Sequence, residues 1–232
     1  TGEDMALKAV IFDMDGVIVD SEPEYQRVEM EMVKKFNASI TLDHLKEYTG
    51  IDSVTMWAHI RERFDLPQTA EELSREEERL MRRYYESGEL KVIEPTVSLI
   101  RSAHEQGFRT GIASASGKDN IAAVLRRLDI GDYVDAAVSG SEVPRHKPHS
   151  DIYLHTAHLL GVMPEECVVI EDSLAGVAAA RAAGMRVIRY AAGGSREDIG
   201  GADFLVSDMA EVTLPLLEKL ASGSLATDVD AR

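Results

Sequence analysis

A chain of 232 residues can hold one well-packed core, or a core with a smaller second unit. Its 25 Lys and Arg against 41 Asp and Glu leave a net charge of −16, which repels nucleic-acid backbones, and no apolar stretch approaches the roughly 18 residues of a membrane span. The single cysteine, Cys167, excludes a disulfide framework and reads as a buried reduced thiol; with no leader pattern at the start, the expectation is a cytoplasmic monomer.

Thr1 to Asp4 precede Met5 and read as a loose extension. Residues 9–12 are a continuous apolar run, the pattern of a strand covered on both faces, and they lead directly into Asp13-Met14-Asp15-Gly16. From Ser21 to about Leu90 only helical periodicity remains. Tyr25, Val28, Met32 and Phe36 fall on one helical face, Val54, Trp57 and Ala58 on a second, and Leu73, Leu80, Met81 and Tyr84 on a third. The charge run over 71–83 reads as a solvated face without function. From Val92 onward helices alternate with short apolar runs at 109–113, 135–138, 167–170, 186–188 and 204–206, a βα repeat. Right-handed crossovers make this an α/β fold, a Rossmann-like parallel sheet with helices on both faces. The sheet-forming parts are 5–20 and 91–221; residues 21–90 are an inserted all-helical cap after strand one, able to lie over its end as a lid. Residues 1–4 and 222–232 are expected to be loose.

Polar residues gather where apolar runs stop, and in open parallel sheets ligands collect beyond those ends. Two carboxylates about 4 Å apart at an effective dielectric near 20 repel by roughly 4 kcal/mol, so Asp13 and Asp15, if both ionised, call for a hard cation such as Mg²⁺. The alternative is a polar turn closing the strand. Ser114-Ala115-Ser116-Gly117 offers hydroxyl and backbone N–H groups to anionic oxygens, or else a serine N-cap. His146-Lys147-Pro148 carries a lone cation, or a solvated lysine. Glu171-Asp172-Ser173 ends the most apolar run; a helix capped at Asp172 is the alternative, but it leaves Glu171 unpaired at a buried edge. Asp52 suits an N-cap of the helix holding Trp57, and Trp57 itself reads as packing. His155 and His158 lack a third ligand, and Gly193-Gly194 reads as a flexible turn.

In this order, Asp13-Met14-Asp15-Gly16-Val17, Ser114, Lys147-Pro148 and Glu171-Asp172 resemble the four motifs of the haloacid dehalogenase superfamily. Glu171-Asp172-Ser173-Leu174-Ala175-Gly176, Ala182-Ala183-Gly184-Met185 and Asp20-Ser21-Glu22 look like its β-phosphoglucomutase-like phosphatase subgroup, a similarity covering 7–220. The resemblance implies phosphate-ester chemistry on a small phosphorylated metabolite, with Asp13 as nucleophile and Asp15 as general acid and base. It implies Mg²⁺ held by Asp13, Asp15 and Asp172 with Glu171 in support, phosphoryl oxygens bound by Ser114, Ala115 and Lys147, and substrate choice near Glu22, Gly50 and Ser53. The subgroup's mutase uses a cap arginine three residues after a glycine, where this chain has Ser53 after Gly50. Hydrolysis is therefore expected over phosphomutase activity, because Asp52 and Ser53 offer no cation to a second phosphate. His146 and Ser150 stand where the subgroup often has glycine and proline. A non-enzymatic receiver-like phosphoacceptor is a further reading, opposed by Asp13 on strand one and by the helical insertion.

Overall fold

A computed structural model of the chain describes residues 6–36, 39–48, 52–192 and 199–224. Gly50, the Gly193-Gly194 turn and the extensions 1–4 and 225–232 lie outside the described residues. The described end segment 222–224 is a turn with Gly223 and Ser224 exposed.

Six strands form one wholly parallel sheet: β1 (Ala9–Phe12), β2 (Arg109–Ser114), β3 (Ala136–Ser139), β4 (Cys167–Glu171), β5 (Arg186–Tyr190) and β6 (Phe204–Val206), in the order β3-β2-β1-β4-β5-β6. The strand expected over 135–138 starts one residue later, and the one expected over 186–188 runs on to Tyr190. Because side chains alternate across a strand, Val10 and Phe12 join one hydrophobic cluster while Ala9 and Ile11 join the other. The first cluster takes apolar residues from α5 (Glu94–Glu105), α6 (Lys118–Leu128) and α9 (Leu214–Ala221); the second takes them from α7 (Asp151–Leu160) and α8 (Leu174–Ala182). Covered on both faces, β1 is fully buried, as its unbroken apolar run requires.

Among the described residues, four helices lie between β1 and α5: α1 (Glu22–Phe36), α2 (Leu42–Lys46), α3 (Ser53–Phe64) and α4 (Ala70–Ser87). The chain leaves for them and returns along paired segments. Val19 bridges Val92 in antiparallel fashion, the Asp20 N–H donates to the Lys91 carbonyl at 2.8 Å, and the Ile93 N–H donates to the Ile18 carbonyl at 2.9 Å. Sequence periodicity misses α2, a five-residue helix too short to carry a stripe. It also rotates two faces slightly. On α3 the buried residues are Met56, Trp57 and Ile60, leaving Val54 and Ala58 exposed; on α4 Tyr85 is fully buried, where the pattern selects Tyr84.

One expectation holds for most of its residues and fails at one: Glu71, Glu72, Arg75, Arg79 and Arg83 are exposed as a solvated face, but Glu77 is not. Within the charge run 71–83, Glu77 is only 3% exposed. Trp57 Nε1 donates to its Oε1 at 3.2 Å and Ser53 Oγ donates to its Oε2, so this acid is held inside the helical unit instead of facing solvent. Asp52 is the N-cap of α3, accepting from the Thr55 N–H at 3.0 Å.

Ile11 is fully buried on the central strand, between β2 and β4. Ile11→Ala is expected to lower stability by about 2–5 kcal/mol through lost burial and the cavity left behind, measured by urea unfolding.

Candidate active site

Strand order places the site. From β1 the chain builds outward to β2 and β3 on one side and to β4, β5 and β6 on the other, so β1 sits where the order reverses. Phe12 is paired with both Ile112 and Ile170, and the next residue of each strand is therefore Asp13, Ala113 or Glu171 at one level of the sheet edge. The Asp13 N–H continues the ladder, donating to the Ile170 carbonyl at 3.0 Å.

Lys147 ties these three strand ends together. Its ammonium donates to Asp13 Oδ1 at 2.8 Å, to the Ala113 carbonyl at 3.1 Å and to Glu171 Oε1, and it lies 5.1 Å from the centre of the Tyr153 ring. The solvated-lysine alternative is thereby excluded. Burial alone favours the neutral amine, but Asp13 and Glu171 outweigh it and hold the Lys147 pKa well above its ordinary value. Glu171 is as well satisfied as a buried carboxylate can be. Tyr153 Oη donates to it at 2.9 Å, and the Ser173 N–H and hydroxyl donate to Oε2 at 2.9 Å each. Burial pushes its pKa up; Lys147 and these donors prevail and keep it below the usual range.

Asp13 and Asp172 are left with more negative charge than the site neutralises. Burial, with Glu171 and Asp15 nearby, pushes the Asp13 carboxyl up to about 8 against the pull of Lys147. Burial, then Glu171 and Asp13, pushes Asp172 well above the ordinary range. Oxygens of Asp13, Glu171 and Asp172 lie within 4.8 Å of one another, an all-oxygen, charge-rich donor set suited to a hard divalent cation. Two glycines make room for the Asp172 and Glu171 carboxylates. A Cβ on Gly16, whose φ of +78° already disfavours side chains, would stand 2.0 Å from Asp172 Oδ2, and a Cβ on Gly176 would stand 1.7 Å from Glu171 Oε1. Ser173, not Asp172, caps the following helix, accepting from the Gly176 N–H at 3.0 Å.

Asp15 sits among hydroxyl groups. Ser21 Oγ donates to its Oδ1 at 2.6 Å and Tyr85 Oη donates to the same oxygen, while Ser116 Oγ reaches Oδ2 at 2.7 Å and Ser114 Oγ at 3.4 Å. Ser114 is fully buried, and the cavity wall beside it is made by Ala115, Ser116 and Gly117. Neither Ser114 nor Ser116 caps α6, whose N-cap is Gly117. Sequence reasoning did not single out Tyr85, Ser21 or Ser116 as partners of Asp15; the only trace is their hydroxyl chemistry.

Above this edge lies a cavity of about 520 Å³, floored by Asp13, Asp15, Lys147 and Asp172 and walled on the far side by α1, α2, α3 and α4. Glu22 and Ser53 both line it. The Glu22 carboxylate accepts from Gln26 Nε2 at 2.8 Å.

A parallel sheet with an acid–lysine–acid cluster at its carboxyl edge defines the chain as an α/β protein with a charged site at the switch point of its strand order. The chain belongs to the haloacid dehalogenase-like hydrolase family, whose model matches residues 7–184. It is 35% identical over 211 residues to hexitol phosphatase B of Escherichia coli (strain K12), covering 88% of this chain and 94% of that protein. It is 32% identical over 182 residues to the same organism's fructose-1-phosphate phosphatase YqaB, covering 77% and 94%. In fold it matches a crystal structure of β-phosphoglucomutase from Clostridium difficile with a TM-score of 0.80, at 23% identity over 94% of this chain and 98% of that one. Family membership makes the chain a hydrolase and displaces the receiver-like reading. No helix among the described residues is long and apolar enough to cross a membrane.

Gly16→Ala forces either Gly16 or the Asp172 carboxylate to move. It is expected to weaken divalent-cation binding by at least about tenfold while the protein stays folded, read by calorimetric titration with Mg²⁺ and by circular dichroism.

Proposed function

We propose that the protein is a Mg²⁺-dependent phosphatase of a small phosphomonoester, a sugar or polyol phosphate, working through an aspartyl-phosphate on Asp13. The observation that carries this reading is the Lys147 ammonium bridging Asp13, the Ala113 carbonyl and Glu171 at the sheet edge, in a family whose relatives include a hexitol phosphatase and a fructose-1-phosphate phosphatase. The helical unit acts as a cap over the cavity. The lone, buried Cys167 supports a cytoplasmic setting.

In this mechanism an Asp13 carboxylate oxygen attacks phosphorus in line with the ester oxygen. The P–O ester bond breaks as Asp15 gives its proton to the departing alkoxide, and an alcohol leaves. Asp15, now ionised, takes a proton from water; the hydroxide attacks the phosphorus and releases inorganic phosphate and the free Asp13 carboxylate. Lys147, the Ala115 N–H and Ser114 are assigned to the phosphoryl oxygens, with Ser116 added because its hydroxyl faces the cavity beside Asp15. Mg²⁺ would be held by the Asp13 and Asp172 carboxylates and the Asp15 backbone carbonyl, where it supplies positive charge to the transferring group. Glu171 acts indirectly, by fixing Lys147 and Ser173.

So many parts are required because hydrolysis of a phosphate monoester needs up to ~10²¹-fold acceleration, about 28 kcal/mol, which no single interaction supplies. Hydrolysis is favoured over mutase chemistry because Ser53 brings only a hydroxyl to the cavity wall, and that hydroxyl is engaged by Glu77.

With p-nitrophenyl phosphate and Mg²⁺ the protein is expected to release phosphate steadily, and chelation with EDTA should stop it reversibly. Asp13→Asn and Asp15→Asn should each lower kcat by at least about 10³-fold. Turnover that survives Asp13→Asn rejects Asp13 as nucleophile.

A further inference from the structure

The hydroxyls around Asp15 fall into two sets, one on each carboxylate oxygen. Oδ1 accepts from Ser21 Oγ at 2.6 Å and from Tyr85 Oη, while Oδ2 meets Ser116 Oγ at 2.7 Å and Ser114 Oγ at 3.4 Å. Ser114 and Ser116 belong to the loop assigned to the phosphoryl oxygens, so Oδ2 is the oxygen turned toward the ester. An oxygen that already accepts two hydroxyl protons is a poor place for a third, and a phenol keeps its own proton at neutral pH. On the Oδ2 side the bonding is reversible. Tyr25 Oη lies 3.0 Å from Ser116 Oγ and either hydroxyl can donate, so this pair turns round when Oδ2 changes from acceptor to donor. Tyr85 is fully buried and does not line the cavity, so it reaches the chemistry only through Asp15. Its place is fixed from both sides, because α4 is tied to α6 before and after it. Arg82 pairs with Asp119 at 2.5 Å, and Arg127 donates to the Glu86 carbonyl at 2.7 Å and to the Gly88 carbonyl at 3.1 Å.

We infer that Tyr85 is a positioning residue: by occupying Oδ1 beside Ser21, it confines the acid proton of Asp15 to Oδ2, the oxygen from which the leaving group is protonated. In that step the Oδ2–H bond breaks as the O–H bond of the alcohol forms. The electron pair of the broken P–O bond stays on the departing oxygen, which takes the proton. Without the phenol hydroxyl, Oδ1 has a free lone pair, and the proton divides between an oxygen that faces the ester and one that does not. The inference rests on the phosphatase reading and on Asp15 as its acid, and it adds to that reading a buried residue of the helical unit that never meets the substrate.

The test is Tyr85→Phe, which keeps the buried ring and removes only the hydroxyl, assayed with Mg²⁺ on two esters that differ in their need for an acid. From p-nitrophenyl phosphate the leaving group departs readily as its anion; from phenyl phosphate the more basic phenolate depends on protonation. kcat/KM covers the steps up to loss of the alcohol, so the later role of Asp15 toward water does not enter. In Tyr85→Phe, kcat/KM for phenyl phosphate is expected to fall at least about fivefold more than for p-nitrophenyl phosphate, a selectivity that lost packing alone does not produce. Equal losses on the two esters, or no loss, overturn the inference. If circular dichroism shows Tyr85→Phe unfolded, the same outcomes in Ser21→Ala, which removes the other donor to Oδ1, overturn it instead. Asp15→Asn separates the two levels, with an expected loss at least about tenfold greater on phenyl phosphate than on p-nitrophenyl phosphate. If Asp15→Asn discriminates and Tyr85→Phe does not, only the Tyr85 assignment fails. If Asp15→Asn is indifferent to the leaving group, or the wild type hydrolyses neither ester, the reading beneath fails and the Tyr85 assignment with it.

Discussion

A single ammonium group sets the electrostatics of this molecule. Lys147 reaches from the segment after β3 across the ends of β2, β1 and β4, and three strand termini that would otherwise present a carbonyl and two carboxylates to one another share its protons. A buried ammonium is tolerable only when its donors are used, and buried carboxylates only when their acceptor oxygens are matched. Each side of the cluster therefore makes the other possible. Removing Lys147 would leave Asp13 and Glu171 facing each other in the interior, so the fold and the chemistry depend on one contact.

The imbalance that remains lies in the other two carboxyls. Glu171 is fully provided with donors, while burial, with like charges nearby, raises the pKa of Asp13 and Asp172. A hard cation between them would favour the ionised form of both, as the proposed mechanism requires. The donor set thus argues for a divalent ion from charge, and Gly16 and Gly176 let the Asp172 and Glu171 carboxylates lie against the backbone.

How far the sequence reveals this arrangement depends on the kind of signal. Strand ends are legible because an apolar run stopping at Asp13 or Glu171 marks both the element and the edge where its next side chain must sit, and a parallel sheet brings those edges together. The helical insertion is legible as an amphipathic region, but not in its inward detail. Periodicity identifies a stripe to within about one residue of 100° each, so it selects Tyr84 where Tyr85 is buried against Asp15. Glu77 is the sharper case. A charged residue in a charged run carries no mark of burial, since what buries it is Trp57 and Ser53 on another helix. Contacts between separate elements are what a one-dimensional pattern lacks, and the hydroxyl cage of Asp15, drawn from three segments at Ser21, Tyr85 and Ser114 to Ser116, depends on such contacts.

The paired stems at Val19 and Val92 carry a consequence for how this architecture diversifies. The outgoing and returning chain are bonded to each other before they reach the helices, so the connections close on themselves as a neck, while α4 also packs on α6 and Tyr85 reaches Asp15. Change in the insertion can leave strand register undisturbed, but at Tyr85 and Tyr25 it reaches the strand ends themselves, so those two positions are tied to the edge while the rest of the helical wall is freer to vary.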